Sequence, residues 1–127
     1  MKMRIRGDSI RLRVTRPELE AIKSTGEIKD SITFGANSKL DYCLDVAART
    51  RSPTASFSAS SVLVSLPQST FETWANSDDV SIEAEQRNHG AGTLSILVEK
   101  DFACLAPREG EEQSEMFANP DAGKVEC

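Results

Sequence analysis

Histidine occurs once in these 127 residues, at His89, and that scarcity excludes much chemistry. A histidine metal cluster needs several imidazoles, and a Ser-His-Asp triad is a matter of geometry, for which a nucleophile elbow would be the sequence sign. His89 instead sits in Asn88-His89-Gly90-Ala91-Gly92, a Gly-rich turn with neither feature nearby. The same turn lacks the Lys-Ser/Thr and the following helix of a phosphate-binding loop. Cysteine is scarce too, and Cys43, Cys104 and Cys127 form an odd set without CxxC spacing, read as reduced thiols. Cys43 lies in an alternating stretch and reads as small-residue packing. Cys104 and Cys127 meet only if the tail folds back, as a disulfide or as two metal ligands with His89. As a nucleophile, Cys43 or Cys104 needs an activating partner that the sequence does not show. No run approaches the roughly 20 apolar residues of a membrane span. Met1-Lys2-Met3-Arg4-Ile5-Arg6 alternates where a signal peptide would be continuously apolar, so the expected location is cytoplasmic.

Charge is present but segregated. Residues 1–16 hold six Lys/Arg against Asp8 alone, whereas 17–98 hold 6 against 11 and 99–127 hold 3 against 8, for a net charge of -5. The basic block attracts anions, yet an overall pI near 4.9 and the lack of aromatic-rich strands argue against a nucleic-acid binder.

Two segments of the chain echo each other. Ser9-Ile10-Arg11-Leu12-Arg13-Val14-Thr15 followed by Pro17, Leu19 and Ile22 is matched by Ser61-Val62-Leu63-Val64-Ser65 followed by Pro67, Phe71 and Trp74. Each segment continues into two alternating runs, 27–34 and 39–47 in the first, 80–87 and 93–101 in the second. Thr15 caps the first helix, with Pro17 in its opening turn and Gly26 at its end. Residues 2–6 and 9–14 predict a hairpin with Gly7-Asp8 as its turn. The polar stretch 49–56, with Pro53, reads as the joint between halves, and 106–127 as an irregular acidic tail that Met116 and Phe117 anchor.

The expected architecture is therefore a single α+β domain over residues 1–127. Its unit, strand-helix-strand-strand, is duplicated over about 9–47 and 61–101. The two copies form a mainly antiparallel sheet, or a barrel of about 7–8 strands, with two short helices outside.

Sorting the strands by face bears on function. Residues such as Ile10, Leu12, Val14, Leu44, Val64, Val80, Ile82 and Val98 fall on one face, with Leu19, Ile22, Phe71 and Trp74 to cover it. The other face carries Lys2, Arg4, Arg6, Arg11, Arg13, Asp41, Asp45, Glu83, Glu85, Arg87 and Glu99. One reading is the ordinary solvated side of an antiparallel sheet. The other is a charged groove or tunnel, with arginines on phosphate or carboxylate oxygens and carboxylates on a hard divalent cation.

The hairpin Met3 to Val14 resembles the basic hairpin of the CYTH-type triphosphate tunnel enzymes, whose duplicated units surround a charged barrel. That resemblance implies a metal-binding role for Glu83 and Glu85 and a basic one for Arg87, in Glu83-Ala84-Glu85-Gln86-Arg87. More of the chain is similar to a small uncharacterised bacterial protein family, in its opening Lys2 to Leu12 and in Val98 to Leu105 with Pro107-Arg108 and Asn119-Pro120. The resemblance implies no activity.

The functional expectation is a small anionic ligand on Arg4, Arg6, Arg11 and Arg13, with a divalent cation on Glu83 and Glu85 as the one cofactor left open. Whether the protein is an enzyme stays open. The alternative is a non-enzymatic interaction module that presents its acidic tail or a sheet edge to a protein partner.

Overall fold

The computed structural model describes residues 1–102. Cys104, Cys127, the stretch from 106 onward, and Met116 and Phe117 lie outside the described residues. Ten elements follow one another: β1 (Lys2–Ile5), β2 (Ser9–Val14), α1 (Arg16–Thr25), β3 (Glu27–Gly35), β4 (Ser38–Ala47), β5 (Thr54–Ser58), β6 (Ser61–Pro67), α2 (Gln68–Ala75), β7 (Ser81–Arg87) and β8 (Thr93–Lys100).

Local chemistry accounts for the boundaries. The Gly7-Asp8 turn forms as expected, with Gly7 at φ 53 and two backbone hydrogen bonds of 3.1 Å between Arg6 and Ser9. At the start of α1 the Glu18 amide donates to Thr15 Oγ1 at 3.4 Å and the Thr15 amide to Glu18 Oε1 at 2.9 Å, a reciprocal capping box. Gly26 ends this helix in the left-handed region at φ 86, its N–H bonded to the Ile22 carbonyl. By contrast α2 starts after Pro67 with no side-chain cap.

The strands form two four-stranded sheets, ordered β1-β2-β8-β7 and β3-β4-β6-β5. Four pairings are antiparallel, but the central pair of each sheet, β2 with β8 and β4 with β6, is parallel. The chain thus reads hairpin, helix, hairpin twice, and each sheet takes one hairpin from each half. Exchanging the halves turns one strand order into the other. Backbone bonds outside the ladders repeat as well: Val46 N to Gly26 O (2.9 Å) is answered by Lys100 N to Val80 O (3.0 Å), and Asp41 N to Ser60 O (3.0 Å) by Ser95 N to Asp8 O (2.9 Å).

Three expectations need correction. The joint expected over 49–56 gives way to a strand at Thr54, because Thr54–Ser58 form β5, which the expected strand-helix-strand-strand unit did not include. The strands make two mixed sheets and no closed barrel; among the described residues no backbone ladder joins β1 or β7 to β3 or β5. Val80 precedes β7 and is 51% exposed, so it is not a core residue.

One apolar cluster unites the two sheets and the two helices. It joins Leu12, Val14 and Val98 of the first sheet to Leu44, Val64 and Leu66 of the second, and to Leu19, Ile22, Phe71 and Trp74 of the helices. Trp74 is 1% exposed, its indole N–H donating to the Val80 carbonyl at 3.1 Å, as its place on the apolar face of α2 predicts. The core positions of the central strands are therefore apolar, and the alternating charged residues of the first sheet, Arg11, Arg13, Glu83, Glu85 and Glu99, lie on the opposite face.

Candidate ligand-binding face

Alternation along β2 sends Ile10, Leu12 and Val14 into the core, so Ser9, Arg11 and Arg13 face outward. Register extends this face across the first sheet. Arg4 lies opposite Arg11, Arg11 opposite Leu97, and Leu97 opposite Glu83. The next row toward the hairpin turn reads Arg6, Ser9, Ser95, Glu85, and the row on the other side reads Lys2, Arg13, Glu99, Ser81. The face is thus basic along β1 and β2 and acidic along β7. A cavity of about 400 Å³ opens on it, lined by Ser9, Arg11, Leu97, Ser95, Glu83 and Glu85 among others.

The four arginines sit in different environments. Arg4 and Arg6 are exposed and Arg11 is half-buried. Arg13 is only 9% exposed, and its Nε–H donates to Glu99 Oε1. Arg11 Nε lies 3.8 Å from the same oxygen, so Glu99 sits between the two guanidinium groups. A buried ion pair that loses one partner leaves the other charge uncompensated, which makes Arg13 a structural residue with its charge already answered by Glu99.

Glu83 and Glu85 stand two residues apart on the outward side of β7, both exposed. Among the described residues no group of three or more His, Cys, Asp or Glu is placed to hold a metal ion. The stretch compared with the metal-binding strand of the tunnel enzymes therefore lies on an open outer face, with its two glutamates as the only carboxylates lining the cavity among the described residues.

Alternation alone grouped Asp41 and Asp45 with these arginines, but both belong to β4 in the second sheet. There Cys43 Sγ lies 3.8 Å from Glu27 Oε2. Burial, and then the charges of Glu27 and Asp45, push the Cys43 thiol up to about 11. Asp45 occupies the position that Glu99 holds in the first sheet, with Ser65 in place of Arg13, and its Oδ1 is buried without a hydrogen-bond partner among the described residues.

Ser9, Ser95 and Leu97 complete the face, and sequence reasoning passed them over. Their neighbours come through the parallel pairing of β2 with β8, which no local pattern announces.

A family model described as a family of unknown function (DUF7009) matches residues 1–121, and the chain belongs to that family, as its resemblance at both ends implied. Comparison with curated proteins and with solved structures found no match.

Proposed function

We propose that this protein binds a small anionic ligand, phosphorylated or polycarboxylate, on the outer face of its first sheet through Arg4, Arg6 and Arg11. The observation that carries this reading is the register of Arg4 against Arg11 beside a 400 Å³ cavity. Among the described residues neither Arg4 nor Arg6 forms an ion pair. Guanidinium groups side by side repel one another, and an oxyanion accepting bidentate hydrogen bonds from them relieves that repulsion. Arg13 holds Glu99 and so fixes the floor of the face. A divalent cation on Glu83 and Glu85 would draw roughly four of its six or more oxygen ligands from the bound anion and water.

Calorimetric titration with inorganic pyrophosphate at low salt tests the proposal. Arg4→Gln with Arg11→Gln should weaken binding about tenfold or more, with the circular dichroism spectrum unchanged. These two positions are chosen because replacing Arg13 would strand the Glu99 carboxylate. Indistinguishable curves, or no binding by the wild type, would sink the idea.

A second reading, docking of a protein partner on a sheet edge, has its own support. β3 is nine residues long, lies at the edge of the second sheet, and leaves Ile32 47% and Phe34 68% exposed. Such an edge offers unpaired backbone groups to another strand. A wild-type protein that binds no anion leaves this edge as the better account. The finer reading of the fold as an internal duplication is supported by the exchangeable strand orders and the paired backbone bonds of the two halves.

A further inference from the structure

The outer face of the first sheet carries two opposite charges held apart. Arg11 on β2 and Glu83 on β7 flank Leu97 on β8, all three line the same cavity, and Glu85 stands beside Glu83. Arg11 approaches Glu99, but among the described residues it forms no ion pair with Glu83 or Glu85. The reason is distance: the strands bearing Arg11 and Glu83 are two spacings apart, about 10 Å. Between them the surface is the half-buried side chain of Leu97, which offers no hydrogen bond.

From this arrangement we propose that the ligand is dipolar, an acid carrying an amine on a short alkyl chain. The inference rests on the anion-binding reading of the same face and names the ligand class. The anionic end takes Arg4 and Arg11, the methylenes lie over Leu97, and the ammonium end takes Glu83 and Glu85. Charge-assisted hydrogen bonds are about 2.8 Å long, so a ligand that bridges side chains on strands about 10 Å apart needs its own charged ends separated by a few ångströms. A chain of roughly three carbons meets that span. Without a metal ion on Glu83 and Glu85, a purely anionic ligand would instead place its tail against two unanswered carboxylates, which the basic side of the face alone cannot favour.

The test compares 3-aminopropyl phosphate with propyl phosphate, identical but for the amine, by calorimetry on the wild type and on Glu83→Gln with Glu85→Gln. The amine should tighten wild-type binding about tenfold or more, and the ratio between the two probes should fall to about one in the double variant. Equal binding of the two probes by the wild type overturns the dipolar ligand while leaving the anion site standing. An amine preference that survives the double substitution overturns the assignment of Glu83 and Glu85. Failure of both probes to bind overturns the anion site and the dipolar ligand with it.

Discussion

Cys43 shows how a single side chain reports its surroundings. It is buried on β4, where desolvation and the nearby carboxylates of Glu27 and Asp45 hold its thiol protonated to about pH 11. The thiolate is the nucleophile, so native Cys43 should resist iodoacetamide at pH 8 and react readily once the chain unfolds. The shift also sets a pH dependence. In the unfolded chain the thiol ionises near its ordinary value of 9.0, whereas in the folded chain it ionises near 11. Across that interval the unfolded state binds fewer protons, so stability falls as pH rises, and below it this group contributes no pH dependence. Peptide-resolved alkylation as a function of pH checks the claim; labelling of Cys43 at pH 8 as fast as in urea would show an open thiol. Trp74 and Ile22 were legible as core residues because helical spacing fixes a face. The burial of Arg13 was not, since it depends on Glu99, 86 residues away, arriving in register beside it.

Among the elements, β5 was the least visible. Thr54-Ala55-Ser56-Phe57-Ser58 alternates, but only Phe57 is strongly apolar, and it is 68% exposed, so the segment reads as polar linker. What makes it a strand is pairing with β6 on one side and a side-chain clasp on the other. The Ala55 amide donates to Gln86 Oε1 at 2.8 Å, and Gln86 Nε2 donates back to the Ala55 carbonyl at 2.9 Å. The amide of Gln86 on β7 thus imitates a neighbouring peptide group and joins the two sheets where no ladder does. Replacing Gln86 by Ala leaves both Ala55 groups without these partners and should cost about 1–3 kcal/mol, with faster hydrogen exchange at the Ala55 amide. Unchanged exchange there would show that β6 alone holds β5 in place. The helices, by contrast, were legible from Thr15, Pro17 and Gly26, whose effects on the backbone are local.

For the molecule as a whole, the decisive fact is that neither half owns a sheet. β1 and β2 need β7 and β8 from the far end of the chain, and β3 and β4 need β5 and β6, through the parallel pairs β2 with β8 and β4 with β6. Alternation led to the expectation of a repeated unit, but sheet partners are chosen by packing between segments that no local pattern links, so whether the units shared one barrel or traded hairpins was beyond its reach. The trade has a thermodynamic consequence. Val98 of the first sheet and Leu44 of the second are both fully buried in one cluster with Trp74, so loosening either sheet exposes the core of the other. Urea unfolding should accordingly be a single transition, with Trp74 fluorescence and far-ultraviolet circular dichroism sharing one midpoint. Val98→Ala and Leu44→Ala should each lower that shared midpoint, at a cost of about 1–5 kcal/mol set by how far the site collapses. Refolding should be slow for a chain of this size, because the parallel pairing of β2 with β8, Ser9 against Ser95, closes most of the chain into a loop before it stabilises anything. If Val98→Ala moved only one probe, or split the transition into two, the sheets would be independent units and the shared core would not be what holds them together.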